Sequence, residues 1–183
     1  MTDWARFDFQ SRKFKEMVLY FCKRGLDEGL VIGSTKLNKL LFFSDFNAYW
    51  AQGQPISGAR YQKLERGPAA RQLLPMQDQM LADGEVRWKE KPQNEWDDVL
   101  IPISEPNPDV FSKDELAAMD KVFEELRPLN AEATSDYSHL RSAGWNVVKE
   151  RNDIPYESAF VSTEPAPQEA IDLGRELAAR YGW

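Results

Sequence analysis

The chain contains one cysteine, Cys22, and one histidine, His139. A lone cysteine excludes an internal disulfide and fits a reducing cytoplasm. With so few nitrogen and sulfur ligands, no Cys/His zinc cluster can be built within a single chain. No apolar run approaches the roughly 20 residues that span a bilayer. The N-terminal "MTDWARFDFQSRKF" carries charges where a signal peptide carries its apolar stretch, so secretion is not expected. HExxH and GxxxxGK[ST] are both absent, and the nearest glycine cluster, "GLDEGLVIG", lacks the GxGxxG spacing. The D/E-x-K tripeptide common in metal-dependent nucleases occurs nowhere. Cys22 falls on the apolar face of a helix, where a thiol behaves as a small hydrophobe, so a Cys–His dyad is not expected. Neither an enzyme nor a bound metal or cofactor is therefore expected.

What is present describes a water-soluble globular chain of 183 residues, 42% hydrophobic and 29% charged. Its net charge of −7 is unevenly spread. Residues 1–91 carry 15 Lys and Arg against 11 Asp and Glu, and residues 92–183 carry 8 against 19. An acidic half disfavours phosphate backbones and suits a basic protein partner, although a solvated helical surface has the same composition.

Helical periodicity dominates. Phe14, Met17, Val18, Phe21 and Cys22 share one face of a first helix that Gly25 can end. "STKLNKLLFFSDFNAYWAQG" reads as a longer helix, capped by Ser34 or Thr35, whose apolar residues cover most of its circumference. Such a helix belongs at the centre of a fold. Lys36 and Lys39 are placed on its outer side. Gly67-Pro68 is read as a helix start, because proline is tolerated at the first helical position. Pro75 should kink or divide that helix. From Gly84 the pattern alternates, and "EVRWKEK" with "DDVLIPIS" predicts a β-hairpin at about 85–104 with an edge strand at Pro102. "FSKDEL" carries Ser112 and Glu115 as a capping box under a Phe111–Leu116 staple. A shorter helix is expected over roughly 131–141. Ala170, Ile171, Gly174, Leu177, Ala178 and Tyr181 are spaced for a last one. The fold class expected is mainly α with a small β-hairpin (α+β), as one domain over 1–165, with a C-terminal helix over 166–183 packed on it.

Three pieces of the sequence, taken in order, resemble the Panacea antitoxin domain, also called the SocA-like or phage-associated GepA-like family. "TKLNKLLFFSD" (35–45) is similar to its K-L-x-K-L-L-[YF]-[YF] helix, which is followed by an acidic or small residue. "ARYQKLERGP" (59–68) matches its aromatic and basic stretch ending in Gly-Pro. "YSHLRSAGW" with "IPY" (154–156) matches its Ser-His, Trp and Ile-Pro-Tyr. The resemblance spans roughly 14–157, with departures at Pro75 and in the "KEKPQNEWDD" insert.

This resemblance implies a helical antitoxin that binds a cognate toxin protein and holds it inactive, without revealing which toxin. It also implies, for some members, an adaptor role that delivers the toxin to an ATP-dependent protease. A winged-helix DNA-binding regulator is the alternative, from the helix–helix–hairpin order with Arg87, Lys89 and Lys91; the negative charge and the lack of a basic recognition helix argue against nucleic acid. Candidate partner contacts are a basic edge of Lys36, Lys39, Arg60 and Arg66, together with Trp96 in the hairpin loop, where no core awaits a large ring. Trp88 and Trp183 are further exposed aromatics. Gly67, Pro68, His139 and Trp145 are expected to be structural, with the His139 imidazole donating and accepting buried hydrogen bonds at a Gly-Trp corner.

Overall fold

The computed structural model describes residues 7–90, 98–164 and 166–182. Helix α1 (Ser11–Asp27) runs through Gly25, which is buried, and ends two residues later. The helix does not break there because the missing side chain is needed for packing: a Cβ would lie 2.3 Å from Ile32 Cγ1. Helix α2 (Ser34–Gln52) is the hub. It touches α1, the helices α4 (Lys113–Leu126) and α5 (Ala131–Arg141), and a 3-10 turn at Tyr156–Phe160. A helix that is apolar all round can be stable only when surrounded in this way.

Lys36 and Lys39 therefore have no outer side to occupy. They are 5% and 2% exposed, which corrects their placement on a solvated rim. Lys36 Nζ donates to the carbonyls of Arg127 (3.0 Å) and Leu129 (2.8 Å) at the end of α4. The last carbonyls of a helix lack intrahelical partners and carry partial negative charge, so a buried ammonium fits there. Burial lowers the Lys36 pKa. At the other end of α4 the capping box forms as expected: Ser112 Oγ accepts from Glu115 N–H (3.1 Å), and Glu115 Oε2 accepts from Ser112 N–H (2.8 Å).

Gly67-Pro68 does not open a helix. Strands β1 (Tyr61–Leu64) and β2 (Gly67–Ala70) form an antiparallel hairpin closed by Glu65-Arg66. Pro68 lies opposite Lys63, whose N–H donates to Asn152 (3.0 Å) and whose carbonyl accepts from Arg151 (2.8 Å). The backbone of Lys63 thus faces away from β2, and the N–H that proline lacks has no role. Helix α3 (Leu73–Ala82) follows, with Pro75 as its third residue. In the first turn an N–H would have no partner, so Pro75 neither kinks nor divides the helix.

The second hairpin, β3 (Val86–Trp88) with β4 (Leu100–Pro102), pairs Val86 with Pro102 and Trp88 with Leu100, as the alternation predicts. The short helix α6 (Ala143–Val147) is capped by Ser142, whose Oγ accepts from Trp145 N–H. Helix α7 (Gln168–Tyr181) has no fully buried residue, and Leu177 and Ala178 are its partly buried ones. Its apolar side is half small residues, Ala170, Gly174 and Ala178, and so offers little area to drive docking.

Candidate interaction surface

The segments that carry the family resemblance meet at two buried polar centres. The first is Asp45, fully buried on α2. Its Oδ1 accepts from the Ser57 N–H (2.7 Å), and its Oδ2 accepts from the Ser57 (2.5 Å) and Tyr61 (2.7 Å) hydroxyls. Tyr156 donates its one hydroxyl hydrogen to the Ala59 carbonyl (2.7 Å), with its oxygen 3.4 Å from Asp45 Oδ2. One carboxylate therefore ties the central helix to β1, with the "IPY" segment beside it. Burial raises the Asp45 pKa, with the Ser57 and Tyr61 hydrogen bonds opposing it. The same burial, with Asp45 beside them, pushes both tyrosines well above their ordinary range.

The second centre lies at the β1–β2 turn. A Cβ on Gly67 would sit 2.3 Å from Ser138 Oγ and 2.8 Å from Lys39 Cε, so α2, α5 and the turn close on one another there. Ser135 Oγ donates to the Arg66 carbonyl (3.0 Å). His139 stacks on Trp145 at 4.0 Å between ring centroids. Trp145 in turn donates from Nε1 to the Leu64 carbonyl (3.0 Å), with Lys63 Nζ 4.3 Å above its ring. Among the described residues His139 Nε2 has no hydrogen-bond partner, so of the expected pair of buried bonds only one, with the Glu65 backbone, forms. That bond and the ring stacking hold the imidazole at the corner.

Burial lowers the His139 pKa, and Lys39 adds to the effect. The folded chain thus binds the imidazole proton less tightly than the unfolded chain. The stability this contributes is present above the ordinary value of 6.5 and is lost as pH falls through the folded value. Replacing His139 by alanine is expected to cost about 1 kcal/mol from the lost stack and to flatten the melting temperature between pH 7 and 5. An unchanged pH profile in the variant would sink this assignment.

Of the expected basic edge, only Arg60 and Arg66 remain at the surface. They flank β1 at opposite ends, roughly 17 Å apart at strand rise, and so do not form one patch. Arg60 leans towards Asp153 at 3.8 Å. Trp88 is 40% exposed. Trp96 and Trp183 lie outside the described residues.

The more developed surface was not anticipated. A groove of about 320 Å³ opens between α2, α4, α5 and the segment 158–161. Phe43 and Phe46 line it and are themselves almost fully buried, whereas Trp50 (63%) and Val161 (59%) are exposed. Tyr137 packs edge-on to Phe43 at 5.3 Å and donates its hydroxyl to Glu125 Oε2 (3.2 Å). Lys121, Glu125 and Arg141 bring charge of both signs to the rim. An exposed Trp50 and Arg141 beside a partly buried Tyr137 are of the residue types that dominate protein–protein energetics, in a groove whose exposed lining is mainly polar. Among the described residues, no group of three or more His, Cys, Asp or Glu is placed to hold a metal ion.

A family model described as "Antitoxin SocA-like, Panacea domain" matches residues 37–146, more than half of the chain. The chain belongs to this SocA-like Panacea antitoxin family. Comparison with curated proteins and with solved structures gives no match. The matched span contains most of α2, both hairpins, α4, α5 and Trp145, and with them most of the groove. The Panacea motifs themselves do internal work: Asp45, Lys39, Gly67 and Trp145 hold segments together. Among the described residues of this Panacea domain, no helix is long and apolar enough to cross a membrane.

The groove residues escaped sequence reasoning because their signals are equivocal. Trp50 stands four residues after Phe46 and continues its stripe, which reads equally as core. Tyr137 and Arg141 are i and i+4 on α5, a spacing shared with countless solvated helices.

Proposed function

We propose that this Panacea-family chain neutralises a cognate toxin by stoichiometric contact, with the groove around Trp50, Tyr137 and Arg141 as its principal contact. Membership of an antitoxin family supports the toxin partner. The observation that carries the choice of surface is the exposed Trp50 beside the almost fully buried Phe43 and Phe46. An aromatic anchor backed by rings already packed in place binds with little reorganisation. Inhibition then follows from covering the toxin's working surface, with no turnover. Arg60 and Arg66 are proposed as separate peripheral contacts for an acidic toxin surface, and Trp96 as a further one. Delivery of the bound toxin to an ATP-dependent protease is proposed as a second role on the adaptor pattern of the family.

The test is a pull-down of the tagged chain from its native host with quantified mass spectrometry, followed by affinity measurements on variants. One small protein should be recovered near 1:1, toxic when expressed alone and harmless beside this chain. Trp50→Ala should weaken binding by about 30-fold, the equivalent of roughly 2 kcal/mol, at unchanged melting temperature. Charge reversal at Arg60 and Arg66 should weaken it less. Wild-type affinity in Trp50→Ala and Arg141→Glu together would remove the groove. Recovery of nucleic acid without a stoichiometric protein would favour the DNA-binding alternative.

A further inference from the structure

Lys36 has only part of what a buried ammonium needs. It is 5% exposed, and its Nζ donates to the Arg127 (3.0 Å) and Leu129 (2.8 Å) carbonyls. An ammonium carries three hydrogens and a full positive charge. Two carbonyls take two of the hydrogens and offer only partial charge in return. Among the described residues no third acceptor and no carboxylate meets it. Glu28, the acid beside the same loop, is taken by Arg24 (3.2 Å) and Arg127 (3.1 Å). Burial lowers the Lys36 pKa, and no carboxylate among the described residues raises it back. A charge drawn out of water is ordinarily matched by an opposite one.

That ammonium stands at the wall of a pocket. A space of about 460 Å³ opens between the α1–α2 connection and the α4–α5 connection, and Lys36 lines it with Leu30, Val31 and residues 127–131. The carbonyls that hold Nζ belong to this lining. Its walls are chiefly apolar: Leu30 and Leu129 are half-buried against the core, and Val31 is 59% exposed. Pockets that take small molecules have this size, apolar walls and a few convergent polar groups. The field inside favours an anion. Helix α2 starts beside the pocket with no acid in its first turn, and Ala131, the first residue of α5, is part of the lining. Both helix ends are positive. Glu132, the acid in the first turn of α5, is exposed and lies outside the lining.

We propose that this pocket binds a small free carboxylic acid in its ionised form: the carboxylate pairs with Lys36 Nζ, and a short apolar body covers Leu30, Val31 and Leu129. The walls exclude water around the ion pair, which strengthens it. The apolar body separates such an acid from inorganic anions, and the charge separates it from neutral apolar molecules. No residue of this pocket lines the groove proposed for the toxin, so the site stands apart from that reading.

Titration of the isotope-labelled full chain with hexanoate, hexanamide and acetate, followed by NMR, tests this. Hexanoate should shift and saturate the amides of Val31, Gly33 and Ala131 with a dissociation constant of about 1 mM or below, which its few heavy atoms allow. Hexanamide keeps the body and loses the charge, acetate does the reverse, and each should bind about tenfold more weakly or worse. Lys36→Met should abolish the preference for hexanoate over hexanamide. That variant also removes two hydrogen bonds from the end of α4, so Val31→Asp gives a second reading at an exposed position. It should weaken hexanoate by about tenfold at unchanged melting temperature, and Val31→Leu should leave the affinity as it is. Hexanoate bound no better than hexanamide overturns the role of Lys36, and acetate bound as well as hexanoate overturns that of the walls. Shifts confined to amides elsewhere in the chain overturn the site. A peptide ending in a free leucine carboxylate that binds more tightly than hexanoate would assign the pocket to a chain terminus and overturn the free acid.

Discussion

Replacing Asp45 by alanine should lower the unfolding free energy by about 4 kcal/mol. The carboxylate is fully buried, and its removal strands the Ser57 N–H and the Ser57 and Tyr61 hydroxyls in the core. Each buried group left unpaired costs roughly 1–3 kcal/mol. Tyr156 is less affected because it still donates to Ala59. Against a total stability of roughly 5–15 kcal/mol, such a loss leaves the chain barely folded. Asp45→Asn keeps one acceptor oxygen and should lose less, and Tyr61→Phe should lose about 1 kcal/mol. Urea titration of the three variants reads this order. Equal losses in all three would show that the hub does not work as drawn.

The same residue gives a pH test. Burial raises the folded pKa of Asp45 above the ordinary 3.8, so the folded chain binds this proton more tightly than the unfolded chain. The stability contributed is fully present below 3.8 and is lost as pH rises through the folded value. The wild type should therefore lose stability relative to Asp45→Asn as pH rises from about 4. A constant difference in melting temperature from pH 4 to 8 would contradict the raised pKa.

Gly67→Ala should destabilise by about 2–5 kcal/mol, from two separable sources. The backbone φ of +99° lies where a side chain is strained, at about 1–2 kcal/mol. The added methyl would also meet Ser138 Oγ at 2.3 Å and Lys39 Nζ at 3.1 Å. Both neighbours are buried, 0% and 2% exposed, and cannot swing into solvent. Overpacking of this kind costs a further 1–3 kcal/mol. Gly84 provides the control: its φ is +71°, and a Cβ there meets nothing within 4 Å. Gly84→Ala should show the backbone term alone. If thermal unfolding shifts equally in the two variants, the close packing at the turn is not what requires glycine.

Much of the helical framework was legible because its determinants are local. The stripe from Phe14 to Cys22, the capping box at Ser112 and Glu115, and the alternation around Val86 and Trp88 each depend on residues within two turns of one another. The β1–β2 hairpin was not legible. Glycine followed by proline serves a helix start and a strand end equally well, and what selects the strand is the segment at 151–154 pairing with the far edge of β1. Lys36 and Lys39 misled for a related reason. Their charge suggests solvent, but the long stem of Lys36 places its ammonium at carbonyls some 90 residues away, and Lys39 lies against the β1–β2 turn.

The sequence by itself determined the family, the mainly helical class, the centrality of α2 and the positions of the caps, since periodicity and capping act over a few residues. Tertiary structure alone decided that the motif residues Asp45, Lys39 and Gly67 face inward. It also decided that the groove draws on four segments between residues 42 and 161. A concave surface made from distant segments leaves no period in any of them, because its geometry exists only once the core has set their distances.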